Sequence, residues 1–290
     1  MLEAVGRCPA RIRAGGPALQ FPAVDDYEVA LEAALAGAAE VRRYLGRALT
    51  PDYKGAVDPV TAADRASEAA ILAVLRRLRP HDAVLSEEAG AQAGAGSGRR
   101  WVVDPLDGTV NFLHGVPLCA VSVALEDEDG PRAAVTATVQ GAAGEVFGAR
   151  RSGGAWCLGD EGNPLAVSSV DSLGRALLST GFPYERRGRA TVYTDALAAA
   201  LEASQGVRRS GSACLDLAWV AAGRYEAHWE FGLQPWDVAA GMLLVVEAGG
   251  RVTDSSGGPP RPGDLVASNG LIHDDLLVVL AAHRPPPPER

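Results

Sequence analysis

The sequence predicts an α/β fold with an α+β part, and three observations carry that prediction. Apolar residues recur every three or four positions over 25–49 and again over 61–78, as in amphipathic helices. Strand-like runs at 118–126, 133–140 and 145–150 are broken by Asp127-Glu128-Asp129-Gly130 and Gly141-Ala142-Ala143-Gly144, which reads as a meander. From about residue 164, short apolar runs alternate with helical ones, the order expected of a mixed or parallel sheet covered by helices.

A chain of 290 residues can build a large core, in two domains or one layered one. With 47% hydrophobic and 22% charged residues the composition is that of an ordinary globular protein. A net charge of −9 argues against nonspecific nucleic-acid binding, which needs a basic surface. A negative protein that handles phosphate must neutralise it locally, and bound metal is the obvious means. The four cysteines, Cys8, Cys119, Cys157 and Cys214, form no C-x-x-C pair, a usage that fits buried thiols in a reducing compartment. The five histidines show no zinc-site spacing, and no apolar run approaches a membrane span. Arg7, Arg11 and Arg13 have no apolar segment behind them, so no secretory signal is expected and the cytoplasm is the expected location.

Residues 1–24, rich in Gly, Pro and Arg without periodicity, read as a flexible extension. Tyr27, Leu31, Ala38, Val41 and Leu45 define the first helix, with Asp25 or Asp26 as its cap and Thr50-Pro51 as its stop. Thr61 can cap the second helix, with Asp64 at the reciprocal position of a capping box. A short strand at 83–86 leads into Glu87-Glu88, and a Gly/Ala/Ser loop at 89–98 follows. Gly153-Gly154-Ala155-Trp156 reads as a turn, and a boundary is expected near Asn163. Beyond it strands are expected at 176–179, 225–231 and 265–268, and helices at 190–205, 212–223, 235–248 and 273–283. The predicted domains are therefore 25–163 and 164–284, with a Pro-rich tail at 285–290 that is disordered by composition.

The chemistry concentrates around Trp101-Val102-Val103-Asp104-Pro105-Leu106-Asp107-Gly108-Thr109. Three apolar residues make a short buried strand, and Pro105 and Gly108 are expected to end it in a tight turn that crowds two carboxylates. Hard oxygens crowded in this way suit Mg²⁺ or a similar ion, although a solvated turn has the same composition. Asp64, Glu87 and Asp237 also fall at element ends, where capping or turn roles explain each one alone. Ser212 likewise reads as a helix cap whose exposed amides favour an anionic or hydroxyl-rich ligand. If these ends converge, the five acids form one cluster.

Five segments together resemble the inositol monophosphatase family of metal-dependent phosphomonoesterases. They are Asp58-Pro59-Val60-Thr61-Ala62-Ala63-Asp64, Ser86-Glu87-Glu88, Asp104-Pro105-Leu106-Asp107-Gly108-Thr109-Val110-Asn111-Phe112, Gly211-Ser212-Ala213 and Trp236-Asp237-Val238-Ala239-Ala240-Gly241. The resemblance runs from about residue 25 to 283 and implies a layered αβαβα sandwich of the sugar/inositol phosphatase type, usually homodimeric and inhibited by Li⁺. It implies that Glu87, Asp104 and the carbonyl of Leu106 hold one Mg²⁺, that Asp104, Asp107 and Asp237 hold a second, and that a weaker third leans on Glu87. Thr109 and Asp64 would orient and deprotonate the attacking water, with Glu87 the further catalytic carboxylate. The amides of Gly108 and Thr109 would receive the phosphate beside Asp107 and Asp237. Gly211, Ser212, Ala213 and Glu230 would form the wall that meets the alcohol. Ser86 stands where the family often has Gly, which leaves the ligands untouched. Lys54 stands where the family often has a Lys beside a mobile metal-binding loop, and a solvated role is equally open.

Within the family the same metal core serves inositol phosphates, fructose 1,6-bisphosphate, histidinol phosphate and 3′-phosphoadenosine 5′-phosphate. Glu230, seven residues before Asp237, with Gly-Ser-Ala at 211–213, is most similar to the inositol pattern. A nucleotide would want an aromatic platform, which the sequence does not reveal, whereas a carboxylate could pair with the amine of histidinol phosphate. Two other classes stay open: a transcription-associated interaction protein, as some bacterial relatives are, and a polyol- or phosphate-binding protein without turnover. The complete ligand set argues against a retired enzyme.

Overall fold

A computed structural model describes residues 25–139, 144–158, 164–188, 190–261 and 263–283. The expected N-terminal extension, most of the 141–144 turn, Asn163 and the 285–290 tail lie outside the described residues.

Helix α1 (Asp26–Arg43) starts on Asp25, whose carboxylate accepts the Tyr27 N–H at 3.4 Å. It stops at Arg43 rather than near Leu49; Leu45 beyond it is exposed, while Tyr44 and Leu49 pack against the core from outside the helix. Strands β1 (Asp52–Tyr53) and β2 (Pro59–Val60) form a small hairpin before α2 (Ala62–Leu78), which opens with the expected Thr61–Asp64 capping box. Then follow β3 (Ala83–Ser86), β4 (Gly90–Gln92), β5 (Arg100–Asp107), α3 (Thr109–Leu113), β6 (Ala120–Asp127), β7 (Gly130–Thr138), β8 (Val146–Arg150) and β9 (Gly154–Leu158). The loop expected at 89–98 thus contains β4, and the turn expected at Gly153–Trp156 runs directly into β9.

The second half comprises β10 (Leu177–Thr180), α4 (Ala190–Ala203), β11 (Gly206–Arg208), α5 (Ala213–Ala221), β12 (Ala227–Phe231), α6 (Pro235–Glu247), β13 (Arg251–Thr253), β14 (Asp264–Ser268) and α7 (His273–Ala281). The helices and the three longer strands fall within a few residues of their expected places. The short edge strands β11 and β13 escaped the sequence reading, because three residues are too few to show a period.

Two sheets organise these elements. A seven-stranded sheet has the order β4-β3-β5-β6-β7-β8-β9, with β3 and β5 parallel and all other neighbours antiparallel. A five-stranded sheet has the order β11-β10-β12-β14-β13, with parallel pairing on both sides of β10. Alternation along the strands assigns side chains to layers. Trp101 and Val103 pack with α1 and α2, while Val102 between them packs with α5 and α6. On β12, Ala227, Trp229 and Phe231 pack with residues of α4 and α7, leaving His228 and Glu230 on the opposite face. The result is the layered αβαβα arrangement that the resemblance implies. No helix among the described residues is long and apolar enough to cross a membrane.

Candidate active site

The strand β5 does not end at Val103, as the Pro and Gly suggested, but continues through Asp107. Its register against β6 slips between Asp104, paired with Ser122, and Asp107, paired with Ala120. Three steps on β5 therefore match two on β6, a one-residue bulge that accommodates Pro105 where no ladder N–H is needed. In a regular strand residues three apart point to opposite faces. The bulge reverses the parity, and Asp104 and Asp107 line the same cavity of about 330 Å³. The Asp104 carboxylate also accepts the Leu106 N–H at 3.1 Å, which fixes the bend.

Gly108 follows in the left-handed region at φ +87°, where a Cβ would lie 2.7 Å from the Leu118 carbonyl. The turn delivers Thr109, whose Oγ1 lies 2.9 Å from Asp64 Oδ1 and 3.0 Å from the Leu106 carbonyl. One hydroxyl proton serves one of these acceptors at a time. Asp64 is anchored through its other oxygen, which accepts the Thr61 N–H at 2.8 Å and the Thr61 hydroxyl at 2.5 Å. Capping and function thus coexist in one side chain: Asp64 closes the start of α2 and still faces Thr109. Asn111 ties this turn to the second sheet, donating to the carbonyls of Leu118 (2.7 Å) and Ser210 (2.9 Å).

Across the cavity, Ser212 caps α5 and donates to Asp107 Oδ2 at 2.6 Å, and the Cys214 N–H donates to the same oxygen at 2.7 Å. A helix start thus holds a carboxylate of the other sheet, as the helix dipole favours. Asp237, in the first turn of α6, accepts the Gln234 N–H at 2.6 Å. Glu230 reaches the cavity from the end of β12 because its neighbour Gly181 has no side chain; a Cβ there would be 2.0 Å from the Glu230 carboxylate.

Of the residues singled out from sequence, Glu87, Asp104, Asp107, Gly108, Thr109, Gly211, Ser212, Ala213, Glu230 and Asp237 all line this cavity. Asp64 and Leu106 lie behind its wall, 1% exposed each, and are linked to it by the Thr109 hydroxyl. Lys54 lines the cavity as well, donating to Glu87 at 2.9 Å and pairing with Glu88. The sequence reading missed Phe182, Tyr184, Arg209, Asp216 and Trp236 as lining residues. Asp216 is an acid in the first turn of α5, where a dipole role suffices to explain it. Trp236 stands in a matched segment without a role of its own, and nothing in the local pattern around Phe182, Tyr184 and Arg209 signals a cavity.

Burial raises the carboxyl of Asp104 well above its ordinary value, and the charges of Glu87, Asp107 and Asp237 push it further. Asp237 is raised by burial and then by Asp107. Burial also raises Asp107, against the hydrogen bonds from Ser212 and Cys214. Glu87 is pushed to about 7 by burial, with Lys54 opposing. Four acids in electrostatic reach of one another, faced by one ammonium group, call for added positive charge. As placed, no three Asp, Glu, His or Cys groups among the described residues have closed to metal-ligand spacing. The donor chemistry nonetheless fits a hard divalent cation, since it consists of carboxylates with the adjoining Leu106 carbonyl and contains no imidazole or accessible thiolate. Burial holds the Cys214 thiol well above its usual value and the Cys119 thiol at about 12.

This layered αβαβα fold with its acid-lined cavity is that of a phosphatase, a hydrolase of phosphate monoesters, as the sequence match shows. The chain belongs to the inositol monophosphatase family, whose sequence profile matches residues 24–284. That family is Mg²⁺-dependent. The inositol-1-monophosphatase of Mesorhizobium japonicum is 43% identical over 239 residues, 78% of this chain and 88% of the relative. The Nus factor SuhB of Pseudomonas aeruginosa is 43% identical over 249 residues, 83% of this chain and 90% of the relative. Among solved structures, an inositol monophosphatase from Anabaena (Nostoc) superposes with a TM-score of 0.79 at 39% identity, covering 89% of this chain and 96% of that one.

Proposed function

We propose that the protein hydrolyses inositol 1-phosphate to inositol and phosphate with two to three Mg²⁺ per site. The observation that carries this reading is the single cavity lined by Glu87, Asp104, Asp107 and Asp237 on one side and by Glu230 on the other. Glu87, Asp104 and the Leu106 carbonyl would hold one ion, Asp104, Asp107 and Asp237 a second, with Glu87 also serving a weaker third. Bound Mg²⁺ supplies a lowered water pKa and charge stabilisation for the leaving oxygen.

The chain's own residues do the rest. Asp64 holds the Thr109 hydroxyl, so that Thr109 presents an oriented acceptor to water and passes its proton towards the carboxylate. The Gly108 and Thr109 amides, at the start of α3 and on the cavity wall, would receive the phosphate. Monoester hydrolysis needs positioning and charge neutralisation more than covalent chemistry, and this arrangement provides both. Glu230, with Gly211, Ser212 and Ala213, meets the hydroxyls of the polyol. Asp216 adds a second carboxyl to that wall.

Phe182, Tyr184 and Trp236 give a nucleotide monoester a platform that the sequence had not revealed, which keeps 3′-phosphoadenosine 5′-phosphate as the second reading. Assay of the purified protein with Mg²⁺ against inositol 1-phosphate, fructose 1,6-bisphosphate, histidinol phosphate and 3′-phosphoadenosine 5′-phosphate, then with added Li⁺, decides between them. The highest kcat/KM on inositol 1-phosphate with Li⁺ inhibition is expected, and preference for the nucleotide would overturn the choice. Division into domains at about residue 163, a homodimer, a cytoplasmic location and no direct nucleic-acid contact belong to the same reading. The name of the Pseudomonas relative favours testing a second role in transcription complexes by pull-down.

A further inference from the structure

Helix α2 reaches the site with three neighbouring residues, and only the first has a task in the reading above. Asp64, Ser67 and Glu68 stand at i, i+3 and i+4, one face of the helix, and all three are buried. Ser67 donates to the Pro105 carbonyl at 2.7 Å, inside the β5 bulge. Glu68 Oε1 accepts the Glu88 N–H at 3.2 Å, the Ala89 N–H at 2.9 Å and a short bond from the Ser86 hydroxyl. The Glu87 N–H itself is held by the Val103 carbonyl at 3.2 Å.

The N–H groups of Glu87, Glu88 and Ala89 are thereby all held, two of them by Glu68, which also takes the Ser86 hydroxyl. A three-residue connection between β3 and β4 does not need a buried carboxylate for its own sake. Burying a carboxylate is unfavourable unless it is well hydrogen-bonded, and a solvated turn would close the same hairpin without that cost. What the carboxylate adds is rigidity in the segment that carries Glu87 and Glu88 to the cavity.

We infer that Glu68 is a positioning residue for the cation site, clamping the 86–89 segment so that Glu87 is presented in one orientation. The inference rests on the Mg²⁺ reading of the cavity. Residues that orient a metal ligand typically affect metal affinity ten- to a hundredfold on mutation, and that is the quantity to measure.

Calorimetric titration of the purified full-length chain with MgCl₂ tests both readings separately. Wild-type protein that binds no Mg²⁺ overturns the metal reading and this inference with it. If wild type binds, Glu68→Ala is expected to bind roughly 10- to 100-fold more weakly, with kcat at saturating Mg²⁺ largely recovered. Glu68→Gln loses the same charge but keeps an acceptor oxygen, so its affinity should stay within about threefold of wild type. Unchanged affinity in Glu68→Ala overturns the inference. So does a Gln variant as weak as Ala, because the effect would then be long-range charge rather than hydrogen bonding. Melting curves without Mg²⁺ report whether each variant folds. If Glu68→Ala does not, Glu68→Asp keeps the charge but withdraws it by one methylene; it should weaken Mg²⁺ about tenfold, and wild-type affinity in it overturns the inference.

Discussion

The two sheets put buried acids on the same cavity in opposite ways. On the seven-stranded side, Asp104 and Asp107 share a strand end and Glu87 comes from the strand beside it, so each carboxyl is raised partly by its neighbours' charges or offset by a fixed partner. On the five-stranded side, Glu230 stands on β12 with Asp216 as the main nearby charge and is pushed to about 8, chiefly by burial. Crowded acids with fixed spacing suit cations. A buried carboxyl that holds its proton near neutrality can both donate to and accept from a hydroxyl. The difference teaches that the burial of an acid does not by itself say what it binds; its neighbours do.

The sharpest way to break that contrast is on the crowded side. Asp104→Asn should abolish turnover, a loss on the order of 10³-fold or more, by removing the carboxylate shared between the proposed ions. A near-normal rate at saturating Mg²⁺ sinks the assignment. Thr109→Ala should lower kcat on the order of 100-fold while calorimetry finds Mg²⁺ affinity largely intact. Lost metal affinity in that variant would mean that Thr109 supports the ligands rather than the water.

Glu230→Ala should raise KM for the polyol monoester about tenfold and leave Mg²⁺ binding alone. The same residue carries a pH signature. Its folded value of about 8 exceeds the ordinary 4.5, so the folded chain keeps a proton that the unfolded chain loses. Stability is therefore fully present below about pH 4.5 and falls as pH rises towards about 8. Glu230→Gln should remove a share of that decline, a few kcal/mol at most by the cited shift, in denaturant melts at pH 5 and pH 8. Identical slopes in variant and wild type would place the titration elsewhere. The smallest effect is expected at the seam between the sheets. Ser212→Ala removes the cap of α5 and its bond to Asp107 and should cost about 1 kcal/mol, read as a lowered melting temperature.

Asp104, Asp107, Asp64 and Asp237 were legible because each lies close to residues that punctuate structure: Pro105 and Gly108, Thr61, Pro235. Capping chemistry alone placed Asp64 and Asp237 at helix starts, and the structure keeps those caps intact. What spacing could not supply was convergence, which depends on how α5 and α6 pack between the two sheets. Arg209, Asp216, Phe182 and Tyr184 were invisible as lining residues because long-range packing alone brings them together. Glu68 was hidden differently. A charged residue in a helix interior normally faces water, and only the three donors from residues 86, 88 and 89 turn it inward. The strand β5 ran past its apparent stop signals because a bulge lets a ladder absorb a proline.

That bulge makes the centre of the site a matter of counting. Removing one residue between Asp104 and Asp107 would restore an even ladder that keeps both carboxylates on one face but loses the bend, and with it a carbonyl, that of Pro105 held by Ser67 or that of Leu106 beside Thr109; adding one would leave two unmatched residues in the ladder. Exchange of one side chain for another at 105 or 106 leaves that arithmetic alone. The segment should therefore tolerate drift in composition far better than any change in length, so that a single-codon deletion there is a more severe lesion than most missense changes.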